Sequence, residues 1–261
     1  MKYGFIGCGN MGSAIAKALS RKTKNFLITD RTGKAIPLAA ELGCTYTDTQ
    51  SLCKHANAIF LAVKPNMLKN VLAPILPVLS EKRPLLISMI AGVEIRQIED
   101  MVGASLPIIR ILPNTPVAVG KGLIQYCSND LVTYDQLNDF LDDMSEAGAL
   151  DPIDEGLMDA ASAVSGCGPA FIYTIIDALA DGAVACGVPR EKAISYAAAT
   201  VIGAGEMVLR SESHPGALKD AVCSPGGSTI QGIRVLEERG VRGAVMDAVI
   251  SSYERNQKLG D

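Results

Sequence analysis

A short apolar run from Lys2 to Ile6 ends directly in Gly7-Cys8-Gly9-Asn10-Met11-Gly12, and a helical pattern through Ile15, Ala18 and Leu19 follows at once. Strand, Gly-x-Gly-x-x-Gly and helix in that order form the dinucleotide fingerprint, which commits the first half of the chain to parallel strands joined by helices. Gly7 makes the tight turn, Gly9 leaves the main chain open to a pyrophosphate, and Gly12 lets the helix lie against the strand. The next strand, Phe26 to Thr29, finishes at Asp30-Arg31-Thr32, about 20 residues on, where such folds read the ribose. Asp30 suits the 2′-OH of NAD, whereas Arg31 and Thr32 suit the 2′-phosphate of NADP. The residues alone support both readings.

The alternation continues through a helix from Gly33 to Leu42, a short helix near Leu52 and a strand from Ala58 to Val63. A helix from Met67 to Leu79 leads to strands at Leu85 to Met89 and Ile108 to Leu112. These last three strands end in Lys64-Pro65, Ala91-Gly92 and Pro113-Asn114-Thr115-Pro116. Ligands of open parallel sheets sit beyond the carboxyl ends of the strands, so Lys64 and Asn114 are candidate contacts, while the prolines read as turn chemistry. After Asp151 the strand signals stop and the text is helical. The expected fold is α/β, an N-terminal Rossmann doubly wound, mostly parallel sheet over 1–153 followed by an all-α domain over 154–261.

That second half carries the other informative stretch, Cys223-Ser224-Pro225-Gly226-Gly227-Ser228-Thr229, between two helical patterns. Ser228 with Gln231 has the spacing of a capping box. Pro225, Gly226 and Gly227 keep side chains away from a helix start whose N–H groups and dipole favour an anion such as a carboxylate. His214, before Pro215, reads as a local cap. Phe171 to Cys186 and Ala193 to Leu209 are apolar almost all round, the mark of helices buried on every side. A small domain cannot cover both alone, so a homo-oligomer built on a dimer is expected.

Totals exclude several other classes. A net charge of −4 over 261 residues gives no basic footprint for nucleic acid and no polybasic membrane patch. Seven cysteines stand singly, and the histidines number two, so a metal site is not expected, and a reducing cytoplasm is the simplest setting. Apolar runs are short or carry Asp177, Asp181 or Glu206, which argues against a membrane span. Cys167 and Cys223 border glycine breaks without a visible base partner.

Taken together, the Gly7–Gly12 loop, Ala62-Val63-Lys64-Pro65, Ala91-Gly92, Arg110 through Pro116, Val164 through Ala170 and above all Leu218 through Thr229 resemble pyrroline-5-carboxylate reductases along essentially the whole chain. Cys167 stands where that family more often has serine, and Ala221 replaces a polar residue. The resemblance implies reduction of (S)-1-pyrroline-5-carboxylate to L-proline by NADPH, with NADH as the alternative donor. It implies that the substrate carboxylate lies on the N–H groups of Gly227, Ser228 and Thr229, that Thr229 is the catalytic hydroxyl at the ring nitrogen, that Ser224 shapes the loop and that Glu155 lines the substrate side. Gly7, Gly9, Asn10, Met11 and Gly12 are implied to hold the pyrophosphate, with Arg31 and Thr32 at the 2′ position. Val63, Lys64 and Ala91 are implied at the ribose and nicotinamide, and Asn114 at the carboxamide. Many members interleave their helical domains as dimers and assemble five dimers into a decamer.

Two rivals differ in class. A hydroxyacid dehydrogenase of similar build generally needs a Lys and an Asn on the first long helix after the junction, and Pro169 through Ala180 contains neither. A non-catalytic nucleotide-binding protein would have no reason to keep the Ser224–Thr229 run. The apolar helices lead to an expected outcome in solution: light scattering at working concentration gives a mass of two chains or more, and a single-chain mass overturns it.

Overall fold

The structure is a computed structural model that describes residues 1–258. Its strands are β1 (Tyr3–Ile6), β2 (Phe26–Thr29), β3 (Thr45–Tyr46), β4 (Ala58–Leu61), β5 (Leu85–Ser88), β6 (Ile108–Pro113), β7 (Gly122–Ser128) and β8 (Gly148–Pro152). They form one eight-stranded sheet in the order β3-β2-β1-β4-β5-β6-β7-β8. Only the β6–β7 pair is antiparallel. The first six strands follow the doubly wound order, whose direction reverses between β1 and β4. The helices among them are α1 (Asn10–Leu19), α2 (Ile36–Leu42), α3 (Thr49–His55), α4 (Leu68–Leu72), α5 (Leu76–Lys82), α6 (Ile95–Val102), α7 (Tyr134–Met144) and α8 (Met158–Ser165).

Both faces of the sheet are covered, which is why β1, β2, β4 and β5 are buried along their whole length and mostly apolar rather than alternating. On one face Tyr3, Phe5, Phe26, Ile28 and Phe60 pack with Ile15 and Leu19 of α1. On the other, Ile6, Ile59, Leu61 and Leu86 meet Leu52, Leu68, Leu79 and Ile98 from α3 to α6. Phe5 stacks on Phe60 with ring centroids 4.4 Å apart and planes 7° apart. The helix expected over Met67–Leu79 is interrupted, with a 3₁₀ turn at Ala73–Ile75 separating α4 from α5. Pro74 lies in that turn, and its ring removes a helix donor there.

The contacts divide the chain into two compact units, Met1–Cys167 with Ser252–Asp261, and Gly168–Ser251. The stretch 154–167, read from sequence as the opening of the second domain, therefore packs with the sheet, because α8 lies on β6 and β7. The second unit contains α9 (Gly168–Ala185), α10 (Arg190–Arg210), α11 (Pro215–Ala221), α12 (Ser228–Glu238) and most of α13 (Val241–Gln257). His214 caps α11, its Nδ1 accepting from the Gly216 N–H at 3.0 Å. The unit's buried core is thin: Ala180, Ala193 and Ala197, with Ile176, Ala183, Val184 and Val188 against them. Ile172, Tyr173, Leu179, Tyr196, Ile202 and Leu209 remain exposed.

Among the described residues one helical run, Glu155–Ala185, is long and apolar enough by composition to cross a membrane, which a sequence reading of shorter runs between charges did not anticipate. Its first part is no lipid-facing segment. Met158, Ala163 and Ser165 are buried, and Glu155 and Asp159 are ion-paired to a sheet arginine.

Phe60 is fully buried between Tyr3 and Phe5. Phe60→Ala should cost about 3–5 kcal/mol of stability, measured by denaturant unfolding. A loss below about 1 kcal/mol would mean that this aromatic stack does not organise the first core.

Candidate active site

The carboxyl ends of β1, β2 and β4 enclose a cleft of ≈ 580 Å³, lined by Gly7, Thr29, Asp30, Arg31, Thr32, Val63 and Lys64 among others. Gly7 has φ +98°, a conformation that L side chains rarely adopt, and a Cβ there would strike the Ala62 carbonyl. A Cβ on Gly12 would come within 2.6 Å of the Gly7 oxygen. Around Gly9 there is open space, and α1 begins after it with no side-chain cap. The loop is thus tight where helix meets strand and open where an anion approaches the first-turn N–H groups of Asn10, Met11 and Gly12. Between them, the crowded glycines, the uncapped helix and the cleft fit a dinucleotide. Cys8 lies inside this loop, and burial pushes its thiol up to about 12, so it is no nucleophile at neutral pH.

At the far end of the cleft the Asp30 carboxylate is turned into its own loop. Its Oδ2 accepts from the Thr32 N–H (3.0 Å), the Thr32 hydroxyl (2.7 Å) and the Lys34 N–H (3.1 Å), and its Oδ1 from the Ala35 N–H (3.2 Å). Burial alone would raise its pKa, but these bonds outweigh it and hold the carboxyl below the usual range. Arg31 beside it is exposed and makes no ion pair among the described residues. Lys64 is exposed at the end of β4, opening the 3₁₀ turn Pro65–Met67. Ala91 is exposed in the turn after β5.

Asn114 and Glu155 are already occupied by the protein. Asn114 is buried, its Nδ2 donating to the Ser165 carbonyl (3.0 Å) and its Oδ1 accepting from the Leu123 N–H (2.9 Å). Glu155 Oε1 accepts from Arg110 Nη1 (3.0 Å) and from the Ile95 N–H at the start of α6 (2.8 Å). Arg110 also reaches Asp159 through Nη2 at 3.2 Å. Sequence reasoning missed this Arg110–Glu155–Asp159 cluster. A lone arginine inside an apolar strand was the signal that could have found it, since a buried charge needs partners.

Within the second unit, the helix entrance differs from the capping box expected. Gly227, not Ser228, is the N-cap of α12, with extended backbone (φ −72°, ψ 170°) and no side-chain cap. The Gln231 side chain instead accepts from Arg234 Nε at 3.4 Å. Helix geometry leaves the first N–H groups without intrahelical partners, so the entrance is more open to an anion than a capping box would have been. The Gly227 N–H itself closes the preceding turn on the Ser224 carbonyl (3.0 Å). Ser228 and Thr229 therefore present the donors. A Cβ on Gly227 would meet the Ser224 hydroxyl, so a side chain there would require Ser224 to turn away.

Comparison with known proteins adds independent findings. Residues 155–259 match the family model for pyrroline-5-carboxylate reductase dimerisation, and residues 2–92 match one described as NADP oxidoreductase, coenzyme F420-dependent. Curated relatives named pyrroline-5-carboxylate reductase include one from Escherichia coli (strain K12), 40% identical over 99% of this chain and 98% of its own. Another, from Pisum sativum, is 37% identical over 98% of this chain and 95% of its own. A crystal structure of Plasmodium falciparum pyrroline carboxylate reductase with NADP bound covers 100% of this chain and 98% of that one, with TM-score 0.91 and 35% identity.

The geometry of the cleft sets an expectation for Arg31. Arg31→Ala should raise the KM for NADPH by about tenfold, the size of one hydrogen bond to a charged group, and leave that for NADH nearly unchanged. Equal effects on both coenzymes would remove Arg31 from the 2′ position.

Proposed function

The chain belongs to the pyrroline-5-carboxylate reductase family, and from that premise we propose how its own residues serve the reaction, reduction of (S)-1-pyrroline-5-carboxylate to L-proline in proline biosynthesis. The hydroxyacid dehydrogenase and non-catalytic readings give way to full-length relatives that carry the reductase name. NADP is the coenzyme in use, supported by the NADP oxidoreductase model and the NADP-bound neighbour.

The observation that carries the residue assignments is the uncapped entrance of α12. The Ser228 and Thr229 N–H groups hold the substrate carboxylate, aided by the helix dipole. Ser224 and Gly227 keep the turn in the shape that exposes those donors. An anchored carboxylate leaves the five-membered ring little freedom, which fixes where its C=N bond lies. Thr229 also places its hydroxyl at the ring nitrogen. Threonine is a weak acid at neutral pH, so its work is to orient that nitrogen and relay a proton rather than to act as a strong acid. NADPH, when bound, would supply a hydride to the imine carbon, and the nitrogen, given its proton by way of Thr229, would become the secondary amine of proline.

On the coenzyme side, the N–H groups of Asn10, Met11 and Gly12 hold the pyrophosphate, and the bare Gly7 and Gly9 admit it. Arg31 and Thr32 stand at the 2′ position. Val63, Lys64 and Ala91 border the ribose and nicotinamide. Asn114 and Glu155 keep their places in the proposal as residues beside the carboxamide and the substrate, acting mainly through the elements they hold. The dimerisation model and the exposed apolar helices support self-association. Assembly into five dimers, a functional division near 153 and a cytoplasmic home are further parts of the reading. The family model's start at 155 supports that division, and seven free cysteines support that compartment.

Thr229→Ala should lower turnover by about ten- to ten-thousand-fold in an assay of pyrroline-5-carboxylate-dependent NADPH loss. Unchanged turnover would remove Thr229 from the mechanism, and no turnover by the unaltered protein would remove the reading.

A further inference from the structure

The Asp30 loop poses a problem that its hydrogen bonds resolve. A carboxylate at the end of β2 is well placed to accept from a ribose 2′-OH and to repel a 2′-phosphate. The chain nevertheless uses NADP. Asp30 is not neutralised by a cation either: no ion pair forms on its carboxylate among the described residues, and Lys34 reaches it only through its backbone N–H.

Four donors converge on that carboxylate, three on Oδ2 and one on Oδ1. An ionised carboxyl offers about four lone-pair sites, two on each oxygen, so Oδ2 is filled by donors from its own loop while Oδ1 has one of its two sites taken. Two of the four belong to Thr32, and the shortest, 2.7 Å, is its hydroxyl. The Asp30 backbone is held as well, its carbonyl accepting from the Tyr46 hydroxyl at 3.2 Å. With the side chain turned into the loop, the exposed Arg31 is a charged group free to meet the 2′ substituent.

We propose that Thr32 is a positioning residue for coenzyme choice: its hydroxyl holds the Asp30 carboxylate inside the loop, so that Asp30 neither accepts the 2′-OH of NADH nor opposes the 2′-phosphate of NADPH. The inference rests on the assignment of this cleft to the 2′ end of the coenzyme, and it gives Thr32 an indirect role through Asp30. Without the hydroxyl, Oδ2 loses the shortest of its three donors and the side chain is freer to swing towards the ribose.

The test is direct fluorescence titration of NADPH and of NADH, without substrate, on the full chain and its variants. Thr32→Val keeps the amide and deletes the hydroxyl, and the ratio of the NADPH to the NADH dissociation constant should rise about tenfold. Thr32→Ser keeps the hydroxyl and should leave the ratio where it is. In an Asp30→Ala background, Thr32→Val should produce no further shift. A shift that persists in full in that background would mean that Thr32 touches the phosphate itself, and would overturn the proposal. So would the absence of a shift in Thr32→Val alone. Because these constants need no turnover, failure to reduce pyrroline-5-carboxylate would count against the proposed reaction and leave the coenzyme result standing.

Discussion

The first unit depends on a charge placed where charges are rarely found. Arg110 is buried in β6 at 1% exposure, flanked by strands on either side. A guanidinium there is tolerable only with partners, and Glu155 and Asp159 supply them from just before and within α8. Removing one partner of such a pair costs about 3–5 kcal/mol, because the other charge stays buried. Four residues along the chain, Asn114 ties the end of β6 to the Ser165 carbonyl at the other end of α8. Ser165 in turn donates to Gln125 of β7 at 3.0 Å. One helix is thereby fastened to the sheet at both ends by polar bonds rather than by apolar packing alone. The same carboxylate that steadies Arg110 also caps α6 through Ile95, so three elements share one electrostatic knot.

Much of this architecture was legible from sequence, for a physical reason. Strands buried on both faces are apolar runs, and β1, β2, β4, β5 and β6 stood out as such. The glycine loop was legible because crowding at Gly7 and Gly12 excludes any other residue. β3, β7 and β8 were not read. β3 has two residues, β7 mixes buried, half-buried and exposed positions, and β8 at the sheet edge has no buried position, so no apolar run marks them. The break between α4 and α5 was written in Pro74 but read through.

The site was legible in outline and not in detail. Which residues gather near a ligand follows from strand ends and helix starts, both local features. What each side chain does depends on partners distant in sequence: Arg110 meets Glu155 45 positions away, and Asn114 meets Ser165 51 positions away. Ser228 shows the same limit at short range. The capping-box spacing was present, but Gly227 is the N-cap one residue earlier and no side chain caps the helix.

The helical unit has three buried alanines for a core and leaves broad apolar surfaces on α9 and α10 uncovered. Its resistance to unfolding is set by mass action and rises with the concentration of like chains. Dilution then weakens the fold of this unit much as a denaturant would.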